Sequence, residues 1–243
     1  IVLESTPRLM NKVRITGKGR CNVTNACDAP SFYAHVVRNP RFLKSVYTAF
    51  DNRALMDFSD VALKRCSLES AVVAHPNIRG LYLLTAPVRL RGPAVTEADF
   101  RQMLSEIREK FDYCLLDAPA GLGLGFRLAV CGADRCVVVT TADASSLRDA
   151  QHTVMELDHL GRGNLHLVVG RVEKKLLRSL HTTIDDAMDA AGLPLLGVVP
   201  EDRNVPYALN TGIPLRECSN YAARAYENIA RRIMGQRIPL MRI

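Results

Sequence analysis

Residues 111–121 read Phe111-Asp112-Tyr113-Cys114-Leu115-Leu116-Asp117-Ala118-Pro119-Ala120-Gly121. A short apolar run without helical spacing ends on an acid, and Pro119 and Gly121 then break the chain, which is the pattern of a buried strand over Tyr113–Asp117. Working outward, Leu81–Ala86, Cys136–Thr141, Leu165–Val169 and Leu196–Val199 are equally short and apolar. Helical periods lie between and after them at Thr96–Phe111, Ser146–Leu160, Thr182–Ala191 and Tyr221–Met234. The first opens with a Thr-x-x-Asp box, Thr96 and Asp99, and carries Phe100, Met103, Leu104, Ile107 and Phe111 on one face. The last presents Ala222, Ala225, Tyr226, Ile229, Ala230 and Ile233 as a buried stripe. Strands buried on both faces and separated by helices give an α/β class with a parallel sheet flanked by helices.

In such a sheet ligands bind beyond the carboxyl ends of the strands, so Asp117 occupies the position that matters most. An acid there can help hold Mg²⁺ beside the phosphates of a nucleotide, and a glycine soon after it, Gly121, lets the backbone approach them. Spacing alone is equally satisfied by an Asp that caps the next helix. Gly121-Leu-Gly123-Leu-Gly125-Phe126 imitates a dinucleotide fingerprint, but the third glycine falls at Phe126, so that reading fails.

The 243 residues, 48% hydrophobic and 23% charged, suffice for one good core and exclude a mainly disordered chain. No apolar run approaches the ~20 residues of a membrane span. The seven cysteines are scattered, with no Cys-x-x-Cys pair, which argues against disulfides and zinc and for reduced thiols in the cytoplasm. The net charge of +7 invites a nucleic-acid partner. Its distribution argues against one: residues 1–53 hold nine Lys/Arg and three acids, and the rest of the chain is nearly neutral. Ile1-Val-Leu-Glu4 is no signal peptide and reads as the end of a buried strand, and the absent Met suggests a chain that begins inside a larger pattern.

Six blocks, in order, resemble the C-terminal two-thirds of MinD/ParA-type (deviant Walker A) ATPases, most closely the septum-site-determining branch. They are Arg65-Cys-Ser-Leu-Glu-Ser-Ala71, Gly80-Leu-Tyr-Leu-Leu-Thr-Ala-Pro87, the 112–121 stretch, Ser145-Ser-Leu-Arg-Asp-Ala150, Gly197-Val-Val-Pro-Glu-Asp202 and Ala225-Tyr-Glu-Asn-Ile-Ala-Arg-Arg232. The resemblance implies a P-loop NTPase-like sheet, with Asp117 as the Walker B acid on Mg²⁺ and Gly121 as the second switch. It places Arg171, Pro200, Glu201 and Asp202 on the adenine side of an ATP site, and Arg148 and Asp149 near a dimer face. It implies a homodimer and cell-division proteins as partners. Gly170 stands where the family has Asn, Ala118 where it has Ser, and Ala142-Asp143 where it has Pro-Glu. The phosphate loop Lys-Gly-Gly-x-Gly-Lys-[Ser/Thr] occurs nowhere in the 243 residues, so the expected sheet is incomplete and ordinary ATPase activity is not expected. Arg231, Arg232, Arg237 and Arg242 offer weak peripheral membrane contact at most.

Ile15-Thr-Gly-Lys-Gly-Arg-Cys-Asn-Val-Thr-Asn25 and Phe50-Asp-Asn-Arg-Ala-Leu-Met-Asp-Phe58 resemble a different family, the BaiN-like FAD/NAD(P)-dependent oxidoreductases. That resemblance puts Glu4 at the adenosine ribose and Arg20, Asn22 and Asn25 along a flavin site. The segment is too short to enclose FAD, and no flavin is expected to bind. The domain reading is therefore a flavoprotein-like fragment over 1–58 joined to a MinD-like domain over 59–243, an apparent chimera. Two other readings stand beside it: a fragment of a BaiN-like FAD/NAD(P)-dependent oxidoreductase, and a non-catalytic binding module that keeps the partner-facing helix around Ser145–Leu160 or a non-functional chimera.

Overall fold

The computed structural model describes residues 2–3, 56–75, 78–86, 94–173, 177, 183–211 and 213–241. The chain forms two compact units, Ile1–Gly132 with Asn210–Gly212, and Ala133–Leu209 with Ile213–Ile243.

In the first unit β1 (Val2–Leu3) and β2 (Val73–Ala74) both pair antiparallel with β3 (Tyr82–Leu83), in the order β1-β3-β2. The pairing at Val2–Leu3 agrees with the strand expected at the start of the chain. Two short helices precede β2. Asp57 caps α1 (Phe58–Ala62) through a reciprocal box with Asp60, and Ser67 caps α2 (Leu68–Ala71). The principal helix, α3 (Glu97–Lys110), starts as its sequence predicts: Thr96 accepts from the Asp99 amide while the Asp99 carboxylate returns to the Thr96 amide. Its Phe100, Met103, Leu104 and Ile107 are buried with Leu68, Leu84, Val95 and Leu128, the last from α4 (Leu124–Cys131). Phe58 meets the Phe100 ring edge-on at 5.4 Å between centroids.

The 113–117 run departs from the expected strand. Only Leu115 makes an isolated bridge. Cys114 and Leu116 pack against the core while Tyr113 and Leu115 stay exposed, so the segment is buried on one face instead of two. Apolar composition alone does not report how many faces of a strand find cover.

The second unit holds the parallel sheet β4 (Cys136–Thr140), β5 (Leu165–Val172) and β6 (Leu195–Pro200), in that order. β4 leads into α5 (Ala144–His159) and β5 into α6 (Ile184–Ala191), which pack on each other and on the strands. Then follow α7 (Asn204–Thr211), α8 (Leu215–Cys218) and α9 (Tyr221–Ile233). Helix α5 begins two residues before the expected Ser146, because the Asp143 side chain accepts from the Ser146 amide and so moves the cap upstream. Gly192 ends α6 in the left-handed conformation. In α9 the buried stripe narrows to Ala222, Ala225 and Ile229, which pack on Val168, Leu196 and Val199. Tyr226 remains 50% exposed, on the flank of α9 beside the stripe that packs on β5 and β6.

After α9 the chain turns back. The Arg232 guanidinium donates to the carbonyls of Leu196, Ile238 and Pro239, and Met241 packs on the same apolar cluster. No described helix is long and apolar enough to cross a membrane.

Candidate functional site

The carboxyl ends of β5 and β6 gather the residues expected on the adenine side. A register shift between Val169 and Val172 lifts Gly170 and Arg171 out of the ladder before pairing resumes at Val172 and Pro200. Arg171 adopts φ 54, a left-handed conformation rare for a long side chain, at a cost of order 1–3 kcal/mol. Its Nε donates to Glu201 Oε2 at 2.9 Å, and the Glu201 amide donates to the Val172 carbonyl at 2.9 Å. The ion pair is largely exposed, and such pairs contribute at most about 1 kcal/mol. The contact therefore does not by itself offset the strain. A strained residue at the ligand-binding end of a sheet is a signature of function more than of stability.

Pro200 is buried at the end of β6. Asp202 leaves the loop in the other direction. Its Oδ1 accepts from the Asn204 amide at 2.8 Å, and its Oδ2 accepts from the Ser219 hydroxyl at 2.5 Å.

At the end of β4, the Thr141 hydroxyl lies against Asp143 and at 2.8 Å from the Ser146 hydroxyl. The bonds from Thr141 and Ser146 hold the Asp143 carboxyl down at about 2. Arg148 and Asp149 are exposed on the first turns of α5.

In the first unit Asp117 is exposed and accepts no hydrogen bond among the described residues, although partial burial of its carboxyl pushes it above the ordinary carboxylate range. Gly121 has φ +88, and a Cβ there would meet nothing within 4 Å, so its glycine is required by backbone conformation and not by crowding. Cys114, packed against the core, has a thiol pushed up to about 11 by burial, which makes it inert at neutral pH. No cluster of three or more His, Cys, Asp or Glu able to hold a metal occurs among the described residues. Glu4, Arg20, Asn22 and Asn25 lie outside the described residues.

Sequence reasoning missed Ser219. It lies seventeen positions from Asp202 in a segment with no recognisable motif, and a lone serine before a helix signals only a local cap.

No protein-family model matches the chain. The septum site-determining protein MinD of Bacillus subtilis is 36% identical over 201 residues, covering 80% of this chain and 74% of the relative. Among solved structures, the MinC:MinD cell division protein complex of Aquifex aeolicus matches with TM-score 0.70 and 30% identity over 79% of this chain and 78% of that one. MinD of Pyrococcus horikoshii, complexed with Mg-ADP, matches with TM-score 0.63 at 24% identity, over 79% and 77% of the two chains, a likeness of fold. The flavoprotein resemblance finds no counterpart among these matches. With that identity over three quarters of a curated relative, and that likeness of fold to a solved one, the chain belongs to the MinD family of septum site-determining proteins.

Proposed function

We propose that the chain is a MinD-type ATP-binding protein of division-site placement that keeps the base side of a nucleotide site and lacks ordinary ATP hydrolysis. The observation that carries this reading is Arg171, held in a left-handed conformation beside Glu201 at the carboxyl ends of paired parallel strands. Arg171 and the Pro200–Asp202 backbone would hold the adenine. Asp117, whose oxygens accept nothing among the described residues, fits a hydrated Mg²⁺, an ion that typically takes one or two carboxylates and keeps several waters. Gly121, with its open φ +88 backbone, suits close approach of a phosphate.

Turnover is a separate matter. Phosphoryl transfer draws its rate from the amides and Lys of a phosphate loop, and the 243 residues contain no such sequence. The exposed Arg148 and Asp149 support a dimer face on α5. The MinC:MinD complex among the matches supports a division protein as partner.

Calorimetric titration of the chain with Mg-ATP tests the reading. Saturable binding is expected, weakened about tenfold or more in Arg171→Ala, since a hydrogen bond from a charged group contributes about 1.5–3 kcal/mol. Absence of saturable binding by the wild type would sink the nucleotide reading, and turnover at the rate of MinD-type ATPases would sink the claim of lost hydrolysis.

A further inference from the structure

Ser59, Thr140 and Ser219 are the buried polar residues among those described. Ser59 bonds to the Asp57 cap and Thr140 to the neighbouring Thr141 carbonyl. Ser219 reaches much farther along the chain. Lying between α8 and α9 at 5% exposure, it donates its hydroxyl proton to Asp202 Oδ2 and accepts from the Ala222 amide at 3.1 Å. The same amide lies 3.4 Å from Asp202 Oδ2. Helix α9 needs this help, because its own N-cap, Asn220, makes no side-chain cap. A carboxylate from the loop after β6 supplies both the acceptor and the negative charge that a helix start favours. Burial pushes the Asp202 carboxyl up, but the bonds from Ser219, Asn204 and Ala222 outweigh it and hold the group below its ordinary range.

We propose that Ser219 is a positioning residue for the nucleobase: by holding Asp202 against the start of α9, it fixes the Pro200–Arg203 loop, whose other side carries the Glu201 contacts to Arg171 and Val172. The proposal rests on the nucleotide reading above. Asp202 then acts as a strut and not as a base contact, because both of its oxygens already accept hydrogen bonds from Asn204, Ser219 and Ala222. Freed from the strut, the loop would let Glu201 and Arg171 drift, so discrimination between bases would suffer more than attraction for phosphates.

The test uses the full chain as wild type, Ser219→Ala and Ser219→Thr. Affinities for Mg-ATP and Mg-GTP are measured by calorimetry, and amide exchange is followed at Asn204 and Ala222. In Ser219→Ala the ATP-over-GTP preference should fall about fivefold, the equivalent of one ordinary hydrogen bond. Exchange should quicken at those two amides while β4 and β5 stay protected. Ser219→Thr, which keeps the hydroxyl, should restore both readouts. If the wild type binds ATP but Ser219→Ala keeps its preference, this proposal alone falls. It also falls if both nucleotides weaken equally while exchange quickens throughout the second unit. If the wild type binds neither nucleotide, the nucleotide reading falls and takes this proposal with it.

Discussion

Gly197 and Gly170 sit on adjacent strands of one sheet and would respond to a side chain in opposite ways. A Cβ at Gly197 would lie 2.3 Å from Ile229 Cγ1. Gly197→Ala should therefore push α9 off β6 and cost about 1–3 kcal/mol, read as a lower denaturant midpoint. At Gly170 the nearest atom to such a Cβ is the Thr140 carbonyl oxygen at 3.7 Å, an ordinary contact, so the Cβ of Gly170→Asn meets no clash and the substitution should cost far less stability than Gly197→Ala. On the nucleotide reading it should also raise ATP affinity, because it returns an amide to the base side; unchanged affinity would count against that role. Acid should act through Asp143. Its folded-state value of about 2 lies below its ordinary 3.8, so its capping contribution is fully present above pH 4 and is lost as pH falls toward 2. Asp143→Asn should flatten that stretch of the stability profile. At this scale sequence reads local chemistry well and distant partners poorly. The Thr96–Asp99 box was legible because both members lie within one turn. The Asp202–Ser219 link was not, because no short-range pattern encodes it.

The elements repeat this division. Helices α3, α5, α6 and α9 were legible from apolar spacing and caps, and the three strands of the parallel sheet from their short β-branched runs, whereas α1, α2, α7 and α8 were not expected. What periodicity could not supply is the cover over each face. Val137 and Val139 share one face of β4 and are 37% and 69% exposed, while Val138 on the other face is buried. β4 is also an edge strand among the described residues, and Cys136–Thr140 carries none of the charges or prolines that usually blunt an edge. Val139→Lys should leave unfolding free energy within about 0.5 kcal/mol of wild type and should reduce self-association, as light scattering at rising concentration would show. A large loss of stability would mean that the valine is covered.

Over the whole molecule, binding and stability are one equilibrium. On the nucleotide reading, a nucleotide at a hundred times its dissociation constant adds about 2.7 kcal/mol, so the unfolding midpoint of the chain should climb with Mg-ATP, and by about half as much or less for Arg171→Ala at the same concentration. The α/β class and the family were legible because six blocks keep their order along the chain. The candidate site was legible only in part: its residue types stand in the sequence, whereas the strain at Arg171 exists only once β5 and β6 have paired.

That pairing also sets a tempo. In a purely parallel ladder, partners such as Cys136 and Leu165, or Leu167 and Leu195, lie roughly thirty residues apart, so each strand must wait for a whole intervening helix before it meets its neighbour. Helices α5 and α6, closed by local bonds, can form early, whereas the kink at Arg171 can appear only with the last rung between β5 and β6. The carboxyl end of the sheet is thus among the late arrivals of folding, and a chain caught before that step would look helical by circular dichroism while, on the nucleotide reading, having nowhere to hold a base.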